Sequence, residues 1–256
     1  MPLHKSNIKE FLDEKVQLYN QPKFIETDPI QIPHGFTKKE DIEIAGFLTA
    51  TISWGNRKMI LKNAHELMNL LDQSPFEFIM NHDKKDLERF QGFVHRTFNA
   101  IDTIQFIKSL KHIYATHNGL EEALQIKDTT KNYKTAISQF KQLFFETPHQ
   151  TRTQKHVSDP LKGSAAKRIQ MFLRWMVRND DCGVDFGIWK SHDPAHLSCP
   201  LDVHSGNVAR KLELLTRKQN DWKAVNELDI QLRSFDKNDP SKYDFALFGL
   251  GVFEKF

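Results

Sequence analysis

The chain contains 256 residues, of which 39% are hydrophobic and 27% charged, and its formal net charge is +3. This composition supports one large core or two closely packed lobes, and it excludes both wholesale disorder and a polycation that binds nucleic acid through overall charge. Two cysteines are too few for a disulfide framework. The N-terminal residues are charged, unlike the apolar run of a signal peptide. The longest apolar run, ALFGLGVF, is too short to span a membrane. We therefore expect a cytoplasmic protein with no membrane partner.

Hydrophobic periodicity and capping residues predict helices along almost the whole chain. The first runs from about Lys5 to Tyr19 and is followed by the turn-rich segment TDPIQIPHG. Thr37 to Glu40 and Ser74 to Glu77 match the capping-box pattern, which predicts a helix start at each. Further helices are predicted at 57–71, 98–117, 119–126, 130–146, 164–178, 202–215, 221–235 and from 239 to about 252.

The segment between the helices ending near 146 and starting near 164 has a different character. Residues 147–163, TPHQTRTQKHVSDPLKG, are polar and punctuated by Pro and Gly, which predicts a long loop. The sequence has no convincing run of period-two alternation, the pattern typical of strands. We therefore predict an all-α fold in which residues 1–256 form a single two-lobed helical bundle.

The segment LKGSAAKRIQMFLRWMVR, residues 161–178, carries five basic residues and no acidic one. Gly163 and the small residues after it predict a tight turn into a helix, with Lys167 on the first helical turn. Free backbone N–H groups and the positive end of the helix dipole suit a phosphate at such a place. An ordinary helix start with a solvated basic face is the alternative interpretation.

The segment CPLDVHSGNVARKL, residues 199–212, places an acid at a predicted helix start. Asp202 is a favoured N-cap, because its carboxylate accepts hydrogen bonds from the first backbone N–H groups. Most Asp residues at such a position only cap the helix. A catalytic role requires a second group opposite the carboxylate.

These two segments resemble the signature of the helix-hairpin-helix DNA glycosylases. LKGSAAK is similar to the hairpin consensus Leu-Pro-Gly-x-Gly-x-Lys, and PLDVHSGNVAR is similar to the Pro-x-Asp-x-His segment. The resemblance implies a glycosylase-like architecture with its hairpin element at about 155–178, Lys167 as the catalytic nucleophile and Asp202 as the catalytic carboxylate. It also implies DNA contacts by four residues of the hairpin, namely Lys162, Gly163, Ser164 and Arg168.

Two further segments resemble the oxoguanine-specific branch of that superfamily. Residues 47–67 are similar to the helix pair that inserts into DNA, which implies DNA contacts by Asn56 and Arg57. Residues 243–252, YDFALFGLGV, look like the helix that closes the base pocket. The predicted pocket is lined by Trp54, His204, Phe245 and Phe248. The whole chain also resembles an uncharacterised bacterial family of conserved hypothetical proteins.

The sequence departs from the superfamily pattern at three points. Lys162 replaces the usual Pro, and Ala165 replaces the second hairpin Gly, which narrows the room for the backbone to approach a phosphate. The separation of Lys167 and Asp202 is 35 residues (202 − 167), longer than in most members and closer to an archaeal oxoguanine branch. Residues 179–199 hold the extra length.

The chemistry of base removal explains why an amine and a carboxylate would be needed. Cleavage of an N-glycosidic bond develops positive charge on the sugar, which a carboxylate stabilises. A Lys amine that displaces the base forms a Schiff base, and such an amine must be partly neutral. Lys162 and Arg168 adjoin Lys167 as neighbouring cations. The target base must leave the duplex and enter a pocket.

A structural zinc site is an alternative for the segment before Asp202. Five potential ligands fall within 23 residues, namely Cys182, His192, His196, Cys199 and His204. Their spacing fits no regular zinc finger, and no Cys-x-x-Cys pair is present in the sequence. We therefore predict neither a metal nor a cofactor.

The favoured prediction is a bifunctional DNA glycosylase and apurinic-site lyase that acts through Lys167 and Asp202. Its partner would be double-stranded DNA with an oxidised purine such as 8-oxoguanine, and the protein would act as a nucleoid-associated monomer. A non-catalytic DNA-binding protein that kept the hairpin is the first alternative. A helical scaffold for a protein partner is the second.

Overall fold

Helices account for most of the chain in the computed structural model, which describes residues 5–128 and 132–256. The α-helices of the described residues are α1 (Lys5–Tyr19), α2 (Lys39–Ile52), α3 (Arg57–Leu70), α4 (Pro75–Asn81), α5 (Ala100–Thr116), α6 (Leu120–Ala123), α7 (Lys134–Phe144), α8 (Lys167–Val177), α9 (Val203–Lys211), α10 (Trp222–Phe235) and α11 (Tyr243–Val252). One antiparallel hairpin joins β1 (Val94–His95) to β2 (Phe98–Asn99). The fold is all-α, as predicted.

The helix starts differ from the predictions at their caps. Helix α2 follows Lys38, whose side chain makes no capping hydrogen bond, so the box predicted at Thr37 is wrong. Ser74 is the N-cap of α4 with Pro75 at the first helical position, but the Ser74 side chain makes no capping hydrogen bond either. Capping boxes form instead at Asn99 and at Asp202. The predicted helix at 130–146 begins at Lys134 in the described residues, and positions 130 and 131 lie outside them.

The predicted loop at 147–163 contains two short helical turns, Thr151–His156 and Pro160–Lys162. Asp102, a fully buried residue of α5, anchors the first of them. Its carboxylate accepts hydrogen bonds from Arg152 Nη1 and Thr153 Oγ1, each at 2.8 Å. A buried carboxylate therefore orders a segment that the sequence marks only by its polarity.

The chain folds into two compact units. The first unit comprises the described residues of 1–24, 126–135 and 159–256, and the second comprises 25–125 and 136–158. In the first unit, α1, α9, α10 and α11 surround a core that includes Leu12, Val208, Leu228 and Leu247. Gly249 of α11 permits a close approach of α1, because a Cβ at that position would lie 2.2 Å from the Tyr19 ring.

The core of the second unit is built from phenylalanine rings. Phe47 of α2 packs against Phe106 of α5 and against Phe140 and Phe144 of α7, with ring centroids 5.4–5.9 Å apart. Phe98 of the hairpin completes the cluster, 5.1 Å from Phe106. Much of the high Phe content is thus core. Across both units, none of the described helices combines the length and apolar character needed to cross a membrane.

Candidate active site

The tight turn predicted at Gly163 forms before α8. Asp159 caps the turn Pro160–Lys162 by accepting a hydrogen bond from Leu161 N, and Gly163 ends the turn with a φ of +92°. This φ lies in the region that favours glycine. The Gly163 carbonyl accepts a hydrogen bond from Trp222 N at 3.0 Å, which fastens the hairpin to the start of α10.

Lys167 is the first residue of α8 and follows Ala166, which has a left-handed conformation with φ +50°. Ala165, in place of the usual second glycine, is buried in the core of the first unit. The hairpin is therefore fixed by packing on one side and by the α10 hydrogen bond on another. Lys167 projects from a backbone that has little freedom.

Asp202 is the N-cap of α9, as predicted. Its Oδ1 accepts hydrogen bonds from His204 N at 2.8 Å and Ser205 N at 3.0 Å, and Ser205 Oγ accepts one from Asp202 N at 2.9 Å. Asn220 Nδ2 donates to the Asp202 carbonyl at 2.8 Å. The cap uses Oδ1, so it fixes the carboxylate while Oδ2 points elsewhere.

The structure brings Lys167 and Asp202 together within the first unit. Lys167 Nζ lies 3.9 Å from Asp202 Oδ2, and the two side chains are 27% and 26% exposed. Lys167 Nζ also lies 3.7 Å from Met171 Sδ, one turn along α8. An amine and a carboxylate separated by 35 residues of sequence (202 − 167) thus meet at a place that solvent can reach.

A buried ion cluster lies close to this pair. Arg174 of α8 pairs with Asp244 of α11 and, at 3.2 Å, with Asp185. Burial raises the pKa of Asp244 to about 6, with Arg174 opposing the shift, and the charges of Asp202 and Lys167 also act on this carboxyl group. Cys199 Sγ lies 3.8 Å from Asp244 Oδ1, and burial raises the pKa of this thiol well above its usual range.

Sequence reasoning missed the Arg174–Asp244 pair as part of the site. Arg174 lies inside the apolar run MFLRWMV, and α8 is buried from Ile169 to Val177. A charged residue within a continuous buried run must have partners of opposite charge. That rule was the available signal, and it would have directed attention to the acids downstream.

The predicted DNA-contacting residues of the hairpin have different exposures. Lys162 and Gly163 are exposed, whereas Ser164 and Arg168 are partly buried. Ser164 Oγ accepts a hydrogen bond from Ala166 N at 3.1 Å and thereby helps to shape the turn. Burial lowers the pKa of Arg168 to about 10, so its guanidinium still carries a charge at neutral pH.

The predicted base pocket needs a correction at Phe245. This side chain is fully buried. The Arg174 guanidinium lies 4.2 Å from the ring centroid, and the Phe24 ring packs edge-on at 5.2 Å. Phe245 therefore does not line an open pocket, because its ring covers the cationic side of the buried ion cluster.

Two other predicted pocket residues also belong to the first unit. Phe248 is partly buried and packs edge-on against Phe24 and Phe253. His204 is exposed on the first turn of α9, where its backbone N–H donates to Asp202. Of the four predicted pocket residues, His204 is thus the one tied directly to the carboxylate.

Trp54, Asn56 and Arg57 lie in the second unit, whereas Lys167 and Asp202 lie in the first. Asn56 caps α3 by accepting a hydrogen bond from Met59 N at 3.3 Å, and the Trp54 ring packs edge-on against His95 with centroids 4.9 Å apart. Sequence reasoning missed a neighbour of this loop, Arg96 in the β-hairpin. Its guanidinium lies against Gly55, where a Cβ would be 2.8 Å from Arg96 Nη1.

The side chains considered for zinc near Asp202 do not form a ligand group. Cys182 is exposed and Cys199 is buried. His192 Nδ1 instead makes a 2.7 Å hydrogen bond with the Tyr133 hydroxyl. Across the described residues, the group of side chains able to hold a metal consists of His112, His117 and Glu146, and it contains none of the five.

A surface groove of about 620 Å³ lies in the second unit and is lined by residues that include His82, Leu87 and Lys108. None of its lining residues belongs to the predicted site. Its lining mixes polar, charged and apolar side chains and does not indicate a particular reaction or ligand.

A family model described as Protein of unknown function (DUF2400) matches residues 28–253, and the chain belongs to this family. The match covers both the hairpin with Lys167 and the start of α9 with Asp202. No curated protein matches the chain. No solved structure matches it either.

Proposed function

We propose that the protein is a DNA base-excision glycosylase with apurinic-site lyase activity, built on a helix-hairpin-helix architecture. The 3.9 Å approach of Lys167 Nζ to Asp202 Oδ2 carries the proposal. These residues fall on both signature positions of the superfamily, in the right order. The proposed substrate is nucleoid DNA with an oxidised purine such as 8-oxoguanine.

Asp202 would stabilise the positive charge that develops on the sugar as the bond to the base breaks. Its geometry suits this role, because two backbone N–H groups hold Oδ1 and leave Oδ2 directed toward the amine. A carboxylate held in this way needs no reorganisation when charge appears. The same oxygen can accept the proton that the amine loses on attack.

Lys167 would act as the nucleophile. Its neutral amine forms a bond to C1′ while the bond from C1′ to the base breaks, and the base leaves with the proton that the amine gives up through Asp202. The C1′–O4′ bond then breaks, O4′ takes a proton from solvent, and the opened sugar is joined to Nζ as a protonated imine. Removal of a C2′ proton expels the 3′ phosphate and cuts the strand, and water later releases the lysine from the imine.

The hairpin would hold the DNA backbone next to this pair. Lys162 and Gly163 are exposed, and the positive dipole end of α8 begins one turn later. Phosphate contacts of this kind release counterions, so the affinity for duplex DNA should fall steeply as salt rises. Within the second unit, Asn56 and Arg57, with Arg96 beside the same loop, are separate candidates for contact with DNA.

Borohydride trapping tests the proposal directly. Sodium borohydride should reduce the imine and leave a covalent adduct between the protein and a duplex that contains 8-oxoguanine. Lys167→Gln should abolish the adduct. Lys162→Gln, which changes an exposed lysine of the same hairpin, should weaken DNA binding but still form the adduct. Circular dichroism of both variants checks that the fold is intact.

Each outcome separates the proposal from its alternatives. An undiminished adduct with Lys167→Gln would refute the assignment of the nucleophile. Salt-sensitive binding without an adduct, across a panel of damaged duplexes, would indicate a non-catalytic DNA-binding protein. No binding at low salt would favour a scaffold for a protein partner.

A further inference from the structure

A second cluster of reactive side chains lies in the second unit. His112 belongs to α5, His117 ends that helix as its C-cap, and Glu146 follows α7 by two residues. Both His Nε2 atoms contact the same carboxylate oxygen, Glu146 Oε2, at 2.8 Å for His112 and 3.4 Å for His117. One potential ligand atom from each of the three residues lies within 4.8 Å of the other two.

Two imidazoles and one carboxylate are a recurrent set of protein ligands for zinc, with the fourth position left to water. Bonds of 2.0–2.2 Å in a tetrahedral site place ligand atoms about 3.3–3.5 Å apart. The His117–Glu146 contact of 3.4 Å already has this separation. The His112–Glu146 contact needs to open by only about 0.5 Å to admit the ion.

The three side chains are positioned by the backbone and remain accessible. The His117 N–H donates to Ile113 O at 2.9 Å, which fixes the end of α5, and the two imidazole rings meet edge-on with centroids 5.4 Å apart. Their side chains are 24% and 26% exposed, and that of Glu146 is 47% exposed. An ion can therefore enter from solvent and keep a water ligand.

The ligand types of the cluster also suit a cation. Glu146 offers a carboxylate oxygen that both imidazoles already contact. Neutral imidazoles present nitrogen lone pairs once a metal replaces their hydrogen bonds to the carboxylate. Protonation of the histidines would compete with the metal, so binding should weaken in acid.

We infer that His112, His117 and Glu146 form a binding site for a divalent transition-metal ion of the zinc type. The ion would tie the end of α5 to the segment after α7 within the second unit, with its fourth position open to water. Imidazole nitrogens select such ions over Mg²⁺, which prefers oxygen ligands. The site is independent of the proposed glycosylase activity.

Titration of the whole, metal-free protein with Zn²⁺ and with Co²⁺ tests the inference. We expect saturable binding of one ion per chain at micromolar concentration, visible Co²⁺ absorption bands typical of a low-coordinate nitrogen and oxygen site, and a higher melting temperature with Zn²⁺. A large excess of Mg²⁺ should neither reproduce nor prevent these effects. Lower pH should weaken the binding.

Three variants provide the controls. His112→Ala and Glu146→Gln should each weaken Zn²⁺ binding by about tenfold or more and remove the Co²⁺ bands. His65→Ala removes an exposed histidine of α3 in the same unit and should change neither. The inference is wrong if the wild-type protein shows no saturable binding, or if His112→Ala and Glu146→Gln bind Zn²⁺ as tightly as the His65→Ala control.

Discussion

Replacing Asp202 by Asn removes the charge that faces Lys167 but keeps the oxygen that caps α9. Asn and Asp are about equally good N-caps, so the hydrogen bonds from His204 N and Ser205 N should persist. The change costs the attraction of the carboxylate to the helix dipole and to a partly exposed amine, each worth about 1 kcal/mol or less. The free energy of unfolding should therefore fall by about 1 kcal/mol.

The effect of the same substitution on base release should be much larger. Two unit charges 3.9 Å apart interact by roughly 4 kcal/mol at an effective dielectric constant of about 20, which is an upper limit for side chains that are a quarter exposed. A loss of about 3 kcal/mol of stabilisation at the sugar corresponds to base release slowed by about 10²-fold. Single-turnover release of 8-oxoguanine measures the rate, and urea unfolding measures the stability.

Asp202→Ala is the matched variant, because it removes the cap as well as the charge. It should slow base release to a similar extent and cost about 1 kcal/mol more stability than the Asn variant. Base release at the wild-type rate by Asp202→Asn would refute the reasoning. Asp202 would then be an N-cap and nothing more.

Two further predictions concern the first unit. Gly249→Ala would place a Cβ 2.2 Å from the Tyr19 ring. The cost of overpacking, about 1–3 kcal/mol, should exceed the gain in helix propensity of about 1 kcal/mol, so the urea midpoint should fall. Gly92→Ala, whose Cβ meets nothing within 4 Å, should leave the midpoint almost unchanged, and equal midpoints for the two variants would contradict this explanation. Burial raises the pKa of Asp229 from 3.8 to about 6, so the favourable contribution of its protonated form is complete below pH 3.8 and is lost as pH rises through 6. The wild type should therefore lose about 3 kcal/mol of unfolding free energy between pH 3.8 and 7 that Asp229→Asn does not lose. Urea unfolding of both proteins measures this difference, and a difference that stays constant over the range would disprove the pKa shift.

The order of helices could be predicted from sequence because periodicity is a property of each segment by itself. Helices α1, α3 and α10 begin and end within one residue of their predicted bounds. The caps of α2 and α4 could not be predicted in the same way, because a capping pattern shows which hydrogen bond is possible and not whether the side chain makes it. The two-residue strands are too short to leave a periodic signal.

The candidate site could be predicted only where the resemblance to a known motif indicated that residues far apart in the sequence lie close together in the fold. No local property of the sequence places Lys167 next to Asp202, and the resemblance to a known hairpin did so. The resemblance failed for Phe245, because α11 is apolar on almost every face and its sequence does not distinguish a pocket wall from core. The partners of Arg174 were missed because pairing of buried charges depends on the tertiary fold.

The two proposed catalytic groups differ in how the fold restrains them, and this difference matters for the proposed mechanism. Asp202 is held by two backbone N–H groups at the start of α9, so its carboxylate cannot follow a moving partner. Lys167 is fixed only at its backbone, and a four-carbon side chain carries its amine. To reach a sugar carbon, the amine must leave the contact at 3.9 Å, while the carboxylate stays in place. When the amine moves away, the fixed carboxylate of Asp202 would be left next to the sugar carbon that becomes positive. The carboxylate would then stabilise the transition state more than it stabilises the resting enzyme, which is the condition for catalysis.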